Sequence, residues 1–325
     1  MCIIIMLSLP DFREKQILLV NAEYGSKPAL RFQNDNIVFE KEGVVINRAS
    51  CHKVFAVYVA GEISITSALL RKGHEHGVSL YLAKPNFEVY VSLTAEASGN
   101  YLLRQKQYTL PESRELSVAR HLIKNKIENQ LRLLKSNKKI ENLAQEKIKY
   151  FALIDNIQDN KSLLGIEGSM SRRFYNAYFK EMGWRRRAPR SKEDVVNFLM
   201  DMGYTFLFNL VDGLLLLHGF DTYKGCYHKL FFQRKSLACD LMEPFRCIID
   251  KKILTMYHLK QIDEKDFRIV QGKISLDFQH NAKYAKFFAE VLMNHKEELY
   301  TYMQNFYRHI MDEHNSLTVF TLKIK

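Results

Sequence analysis

Three separated stretches concentrate side chains able to do chemistry. In "LLGIEGSMSRRFY", residues 163–175, Glu167 lies between Gly165 and Gly168, and Arg172 and Arg173 follow. In "HGFDTYKGCYHKL" a loop punctuated by Gly219 and Gly225 leads to His228 and Lys229. In "SLACDLMEPFR" fall Asp240, Glu243 and Arg246. Two carboxylates with one neutral imidazole suit a hard divalent cation, magnesium or manganese, and leave positions open for water and a phosphate oxygen. An open position is the condition for metal-assisted phosphodiester chemistry.

Each stretch also has a plainer reading. A single histidine in a loop is usually structural. Pro244 fits only near the start of a helix, because deeper in it would lose a backbone hydrogen bond and clash, so Asp240 reads equally as an N-cap. Glycines flanking Glu167 cost a helix roughly 1 kcal/mol each. They mark either a turn or a backbone that something must approach closely. Between Arg172 and Arg190 there are seven basic residues and one acid, with Tyr175, Tyr178, Phe179 and Trp184 interleaved. Arg185, Arg186 and Arg187 fall in this run, which suits a phosphate backbone and unstacked bases, or else a solvated cationic face.

The elements that must position these residues divide into two styles. Residues 16–93 hold short runs rich in Val, Ile, Phe and Tyr, among them "QILLVNA", "NIVFEK", "KVFAVYVAG" and "VSLYLA", separated by turn signals such as "GSKP" and "KEG". One helix, about "ISITSALLRKGHEHG", interrupts them; His74 and His76 near its C-terminus are read as structural, suiting the helix dipole. The expectation is an α+β chain: a β-rich domain over 1–95, a linker over 96–112, and a larger all-α domain over 113–325. In the second part "RELSVARHLIKNKIENQLRLLKS" is amphipathic. Ser191 and Asp194 form a capping-box pattern that opens "VVNFLMDMGYTFLFNLVDGLLLLH", a helix apolar nearly all round and so placed at the centre of a bundle.

Composition bounds the function. The chain has 325 residues, is 47% hydrophobic and carries a net charge of +12. That supports real cores and points to a polyanionic partner, nucleic acid before membrane. Five scattered cysteines read as reduced thiols in a cytoplasmic protein, not as a disulfide frame or zinc site. The opening "MCIIIMLSLPDF" lacks a basic n-region and a cleavage site, and is compatible with a start-site extension ahead of Met6. "GLLLLHG" is too short to span a bilayer, so no membrane role is expected.

The stretches "GIEGSMSRRFY", "RRRAPRSKEDVVNFLMDMGY", "GFDTYKGCYH" and "SLACDLMEPFR", in this order and spacing, closely resemble the CRISPR-associated integrase of spacer acquisition (the Cas one family). "KIENQLRLL", from Lys126, looks like the helix that precedes its active site. The likeness runs from about residue 16 to the C-terminus. Ala188 and Cys247 stand where prolines are common, and Pro244 replaces a frequent acid. None of these departures removes a ligand.

The resemblance implies a β domain through which two copies dimerise and a helical domain with one metal site. Its ligands fall on Glu167, His228 and Glu243, with Asp240 in support. Gly165 and Gly168 would let the backbone beside Glu167 pack against another helix and a DNA strand. Arg172, Arg173, Arg185, Arg186, Arg187, Lys229 and Arg246 would hold DNA. The implied reaction is attack by the 3′-hydroxyl of a DNA fragment on a phosphodiester of a CRISPR repeat, with Mg²⁺ or Mn²⁺ and associated endonuclease activity. Implied partners are double-stranded and partly single-stranded DNA and a small ferredoxin-like protein (Cas two) in a heterohexamer, with an iron–sulfur exonuclease as a further partner. The alternatives are a stand-alone metal-dependent DNA or RNA nuclease and a non-catalytic nucleic-acid-binding scaffold.

Overall fold

The computed structural model describes residues 8–23, 25–84, 87–189 and 191–324. The start-site question at Met6, and Cys2 and Arg190 with it, lie outside the described residues.

A short helix α1 (Leu9–Arg13), capped by Ser8, precedes the strands β1 (Gln16–Ala22), β2 (Pro28–Gln33), β3 (Asn36–Lys41), β4 (Val44–Ser50), β5 (Val54–Gly61) and β6 (Ser64–Ile65). Helix α2 (Ser67–Glu75), β7 (Ser79–Ala83) and β8 (Val89–Leu93) complete the N-terminal part. Two sheets form, ordered β1-β5-β7-β8 and β4-β3-β2-β6. In the first, β1, β5 and β7 are parallel and β8 is antiparallel. A parallel central strand has both faces covered, which is why "VFAVYVA" is buried at every position. Val57 and Val59 pack toward the second sheet with Leu30, Ile37 and Leu69. Tyr58 and Ala60, on the opposite face, join the core of the helical part.

That shared core ties the two parts together. Tyr81 donates from its hydroxyl to the carbonyl of Asn209 at 2.8 Å, and the Tyr58 and Phe206 rings lie 4.6 Å apart. The expected linker contains a helix, α3 (Tyr101–Tyr108), capped by Asn100. It is fixed by Gln107, whose amide donates to the carbonyls of Asp221 and Lys224.

The helical part follows as α4 (Glu112–Ser136), α5 (Leu143–Asp155), α6 (Asn160–Tyr178), α7 (Val195–Leu217), α8 (Ser236–Met242) and α9 (Arg246–His258). It is not wholly α: β9 (Phe267–Val270) and β10 (Lys273–Leu276) form an antiparallel hairpin before α10 (Phe278–Met293) and α11 (Lys296–Met311). The central helix is α7. It is long and apolar enough to cross a membrane, yet most of it is buried within the protein, as a bundle core requires. Its cap differs from the expected box: Asp194 alone accepts from the Asn197 amide at 2.7 Å, while the Ser191 hydroxyl donates to the Ala188 carbonyl.

Candidate active site

Four segments converge on one cavity of about 1280 Å³. Helix α6 brings Glu167, α4 brings Lys126, the loop between α7 and α8 brings His228, and a single 3₁₀ turn, Glu243–Phe245, brings Glu243. Pro244 sits in the first positions of that turn, where its missing N–H costs nothing. The turn is pinned from α4: the Asn129 amide donates to the Pro244 carbonyl at 3.2 Å and to the Phe320 carbonyl at 2.9 Å.

Asp240 is not an N-cap. It lies inside α8 with no exposed surface and organises the loop that carries His228. Its Oδ2 accepts the Cys226 and Tyr227 amides at 2.7 and 2.8 Å, and its Oδ1 accepts the His228 amide at 3.0 Å. The same Oδ1 lies 2.6 Å from His228 Nδ1. A proton on Nδ1 satisfies the carboxylate and leaves Nε2 with its lone pair for a ligand. This close packing requires Gly225, since a Cβ there would stand 2.6 Å from Asp240 Oδ2 and 2.9 Å from Ser236 Cβ.

The charges are balanced across elements. Lys126 Nζ is 2.7 Å from Glu243 Oε2, and Arg246 Nε approaches the same oxygen at 2.9 Å. Lys126 also bonds Glu167, whose Oε1 accepts the Ser171 hydroxyl at 2.8 Å. Burial pushes the Glu243 carboxyl up, but Arg246 and Lys126 outweigh it and hold it at about 2. Burial pulls the Lys126 ammonium down, and Glu243 and Glu167 more than reverse that. Arg246 lies 4.6 Å over the Tyr204 ring, and Tyr204 donates to Asp250, a buried carboxyl that burial pushes up to about 7.

These donors fit a hard divalent cation. Glu243 Oε2 is buried and, though ion-paired, has no hydrogen bond of normal geometry. Lys126 shows that the fold already demands positive charge between the two carboxylates. Glu167, His228 and Glu243 are not drawn in to ligand spacing. Among the described residues the His, Cys and carboxylate donors that gather three together within 4.8 Å of one another are Cys51, His52 and His76. Those lie in the N-terminal, strand-rich part of the chain. Lys15 donates to the Cys51 and His76 carbonyls in the same corner, and burial pushes the Cys51 thiol up, which opposes the thiolate form a metal ligand needs.

The basic residues separate into two groups. Arg172 and the exposed Arg185 line the cavity, and Lys229 is exposed beside it. Arg186 lines it too but pairs with Glu193 at 2.7 Å on the surface, a weak tie. Arg173 differs from expectation: both its terminal nitrogens bond Glu146 at 2.7 Å, clamping α6 to α5. Arg187 likewise is held by Asp201 at 2.5 Å and Asn197 at 3.0 Å. The glycines flanking Glu167 also depart from the reading. Helix α6 is continuous, and a Cβ at Gly165 or Gly168 would meet nothing within 4 Å, so no helix packs there. Lys126, Ser171 and Asn129 were missed. The available signal was a run of polar residues, Asn125, Lys126, Asn129 and Gln130, on the buried face of an otherwise amphipathic helix.

A mixed-sheet part joined to a helical bundle thus gathers acids and a histidine in a cleft lined by arginines. Residues 24–290 match the family described as CRISPR associated protein Cas1. "CRISPR-associated protein Cas1 3" of Methanobrevibacter ruminantium is 32% identical over 269 residues, covering 75% of this chain and 79% of that one. The chain therefore belongs to the Cas1 family. Its fold is similar to that of a casposase bound to integration product, with TM-score 0.80 at 18% identity over 94% of this chain and 93% of that one. A Cas6-RT-Cas1–Cas2 complex chain matches with TM-score 0.77 at 23% identity, covering 95% of this chain and 36% of that chain.

Proposed function

We propose that the protein is a metal-dependent DNA strand-transfer enzyme that inserts short DNA fragments into a CRISPR array. The observation that supports this most is the convergence of Glu167, Glu243 and an oriented His228 on one cationic cavity. Glu167, His228 and Glu243 would hold Mg²⁺ or Mn²⁺, which supplies Lewis-acid polarisation of the phosphoryl oxygen when bound. Asp240 keeps the His228 proton on Nδ1 and the ring in one orientation. Arg246 and Lys126 offset the charge that builds on the phosphoryl oxygens as the 3′-hydroxyl attacks and the leaving 3′-oxygen departs. Arg172 and Arg185 hold the strand in line. The bond formed and the bond broken are both phosphodiesters, so no nucleotide triphosphate is consumed.

Assembly follows the same reading. Val44 and Ile46 on β4 and Tyr90 and Leu93 on β8 are exposed apolar residues, which supports dimerisation through the β domain. The chain in the Cas6-RT-Cas1–Cas2 complex and the casposase bound to integration product support a Cas2-type partner and an integration reaction. Two dimers around a central partner dimer, and an end-trimming iron–sulfur exonuclease, complete the proposal.

The test is incubation with Mn²⁺, a short duplex bearing free 3′ ends and a plasmid carrying a repeat. Joined product is expected from the wild type and none from Glu167→Ala or His228→Ala. Wild-type joining by Glu167→Ala would refute the assignment. Continued cutting but no joining is expected with a 3′-blocked fragment; cutting alone, with free 3′ ends as well, would favour the plain nuclease.

A further inference from the structure

Immediately after His228 the chain turns through Leu230, Phe231 and Phe232, which are 64%, 74% and 82% exposed. Such exposure is unusual for consecutive large apolar residues, and both phenylalanines line the same cavity as Glu167 and Glu243. The turn is anchored on both sides. His228 is fixed by Asp240, and Lys235 is fixed by the buried Asp212, its Nζ 2.7 Å from Oδ2. Across the base, the Ser236 hydroxyl donates to the Lys229 carbonyl and the Arg234 amide to the Phe231 carbonyl. The aromatic tip is therefore held beside the reacting groups.

The neighbours identify the occupant. Arg172, Arg185 and Arg234 line the cavity around the two rings, which suits a polyanion and disfavours an apolar protein segment. Phenyl faces within a cationic groove are what unstacked bases bind, because every base has a π-face and its phosphate meets the cations. Apolar side chains in such positions also enter base steps and open them. Resting on the reading that this cavity handles DNA, we infer that Phe231 and Phe232 form a base-stacking subsite. It takes an unstacked nucleobase flanking the phosphodiester at Glu167, His228 and Glu243.

The experiment uses the full chain and two 2-aminopurine-labelled oligonucleotides, one with frayed ends and one fully paired, with an abasic version of the frayed one. Phe231→Ala/Phe232→Ala is compared with Phe231→Tyr/Phe232→Tyr; both pairs are exposed and should leave the melting temperature unchanged. Loss of base–aromatic stacking should weaken binding of frayed DNA roughly 5- to 150-fold and abolish the change in 2-aminopurine fluorescence. The tyrosine pair should retain both, and the salt dependence should not change, because no phosphate contact is removed. The abasic oligonucleotide should bind the wild type as weakly as the alanine pair binds intact DNA. Equal affinities of wild type and alanine pair for frayed DNA overturn the inference and leave strand transfer standing. A change of oligomeric state without a change in DNA affinity would also overturn it, assigning the patch to a second copy. Failure of the wild type to bind any of the oligonucleotides would overturn the DNA reading itself.

Discussion

Replacing Lys126 by methionine keeps most of the side-chain volume and removes the charge that two acids share. In the wild type the ammonium lies between Glu167 and Glu243, with its own side chain and that of Glu243 almost wholly buried. Removing one partner of a buried ion pair costs about 3–5 kcal/mol, because it strands the opposite charge. Arg246 remains beside Glu243, so the lower part of that range is expected. With an unfolding entropy near 2.1 cal/mol/K per residue, a 325-residue chain loses roughly 4–7 °C of melting temperature over that range. The measurement is calorimetric or fluorescence melting in chelator, followed by titration with Mn²⁺. A divalent cation held by the same carboxylates replaces the missing charge, so Mn²⁺ should raise the melting temperature of Lys126→Met by more than that of the wild type. A variant melting within about 1 °C of wild type in chelator would refute the charge-balance argument. An identical Mn²⁺ response in both proteins would refute the location of the cation.

Three further outcomes follow from the same geometry. Glu243 is held at about 2 against an ordinary value of 4.5, so its stabilisation is complete above pH 4.5 and is lost as pH falls toward 2. The difference amounts to about 3 kcal/mol, and Glu243→Gln should remove that part of the acid-unfolding profile followed by circular dichroism. Asp240→Asn would turn an amide N–H₂ toward backbone donors and release the His228 tautomer; Mn²⁺ affinity measured by electron paramagnetic resonance should fall about 10- to 100-fold, whereas an unchanged affinity would deny Asp240 its positioning role. Gly168→Ala meets no protein atom and should stabilise the helix by about 1 kcal/mol, raising the melting temperature by roughly 1–2 °C, while strand transfer falls if DNA comes to that backbone. Undiminished transfer would leave the glycine without a functional reason.

The sequence displayed what depends on local pattern. The strands β1 to β5, β7 and β8 were legible because β-branched and aromatic runs alternate with turn residues, and α7 because nearly every face is apolar. The hairpin of β9 and β10 was legible and went unread: Gln271 and Gly272 both have positive φ, as a two-residue hairpin turn demands, between "FRIV" and "KISL". Helix α3 was not legible, since Tyr101 and Leu102 are exposed and what holds the helix is Gln107 reaching carbonyls more than a hundred residues away. The site divides in the same way. Glu167, His228 and Glu243 stand in motifs whose order can be read along the chain, but the cation that neutralises the acids cannot. A lysine in an amphipathic helix reads as solvated, and Lys126 is instead the charge around which α4, α6 and the Glu243 turn are assembled. Asp240 shows the converse. Its acid was visible, yet its task is to receive three amides and a ring nitrogen from a loop 12 to 14 residues upstream, and only the folded loop reveals it. A motif can name the groups that react; which of them is neutralised, and which is aimed by another, is a property of the packing.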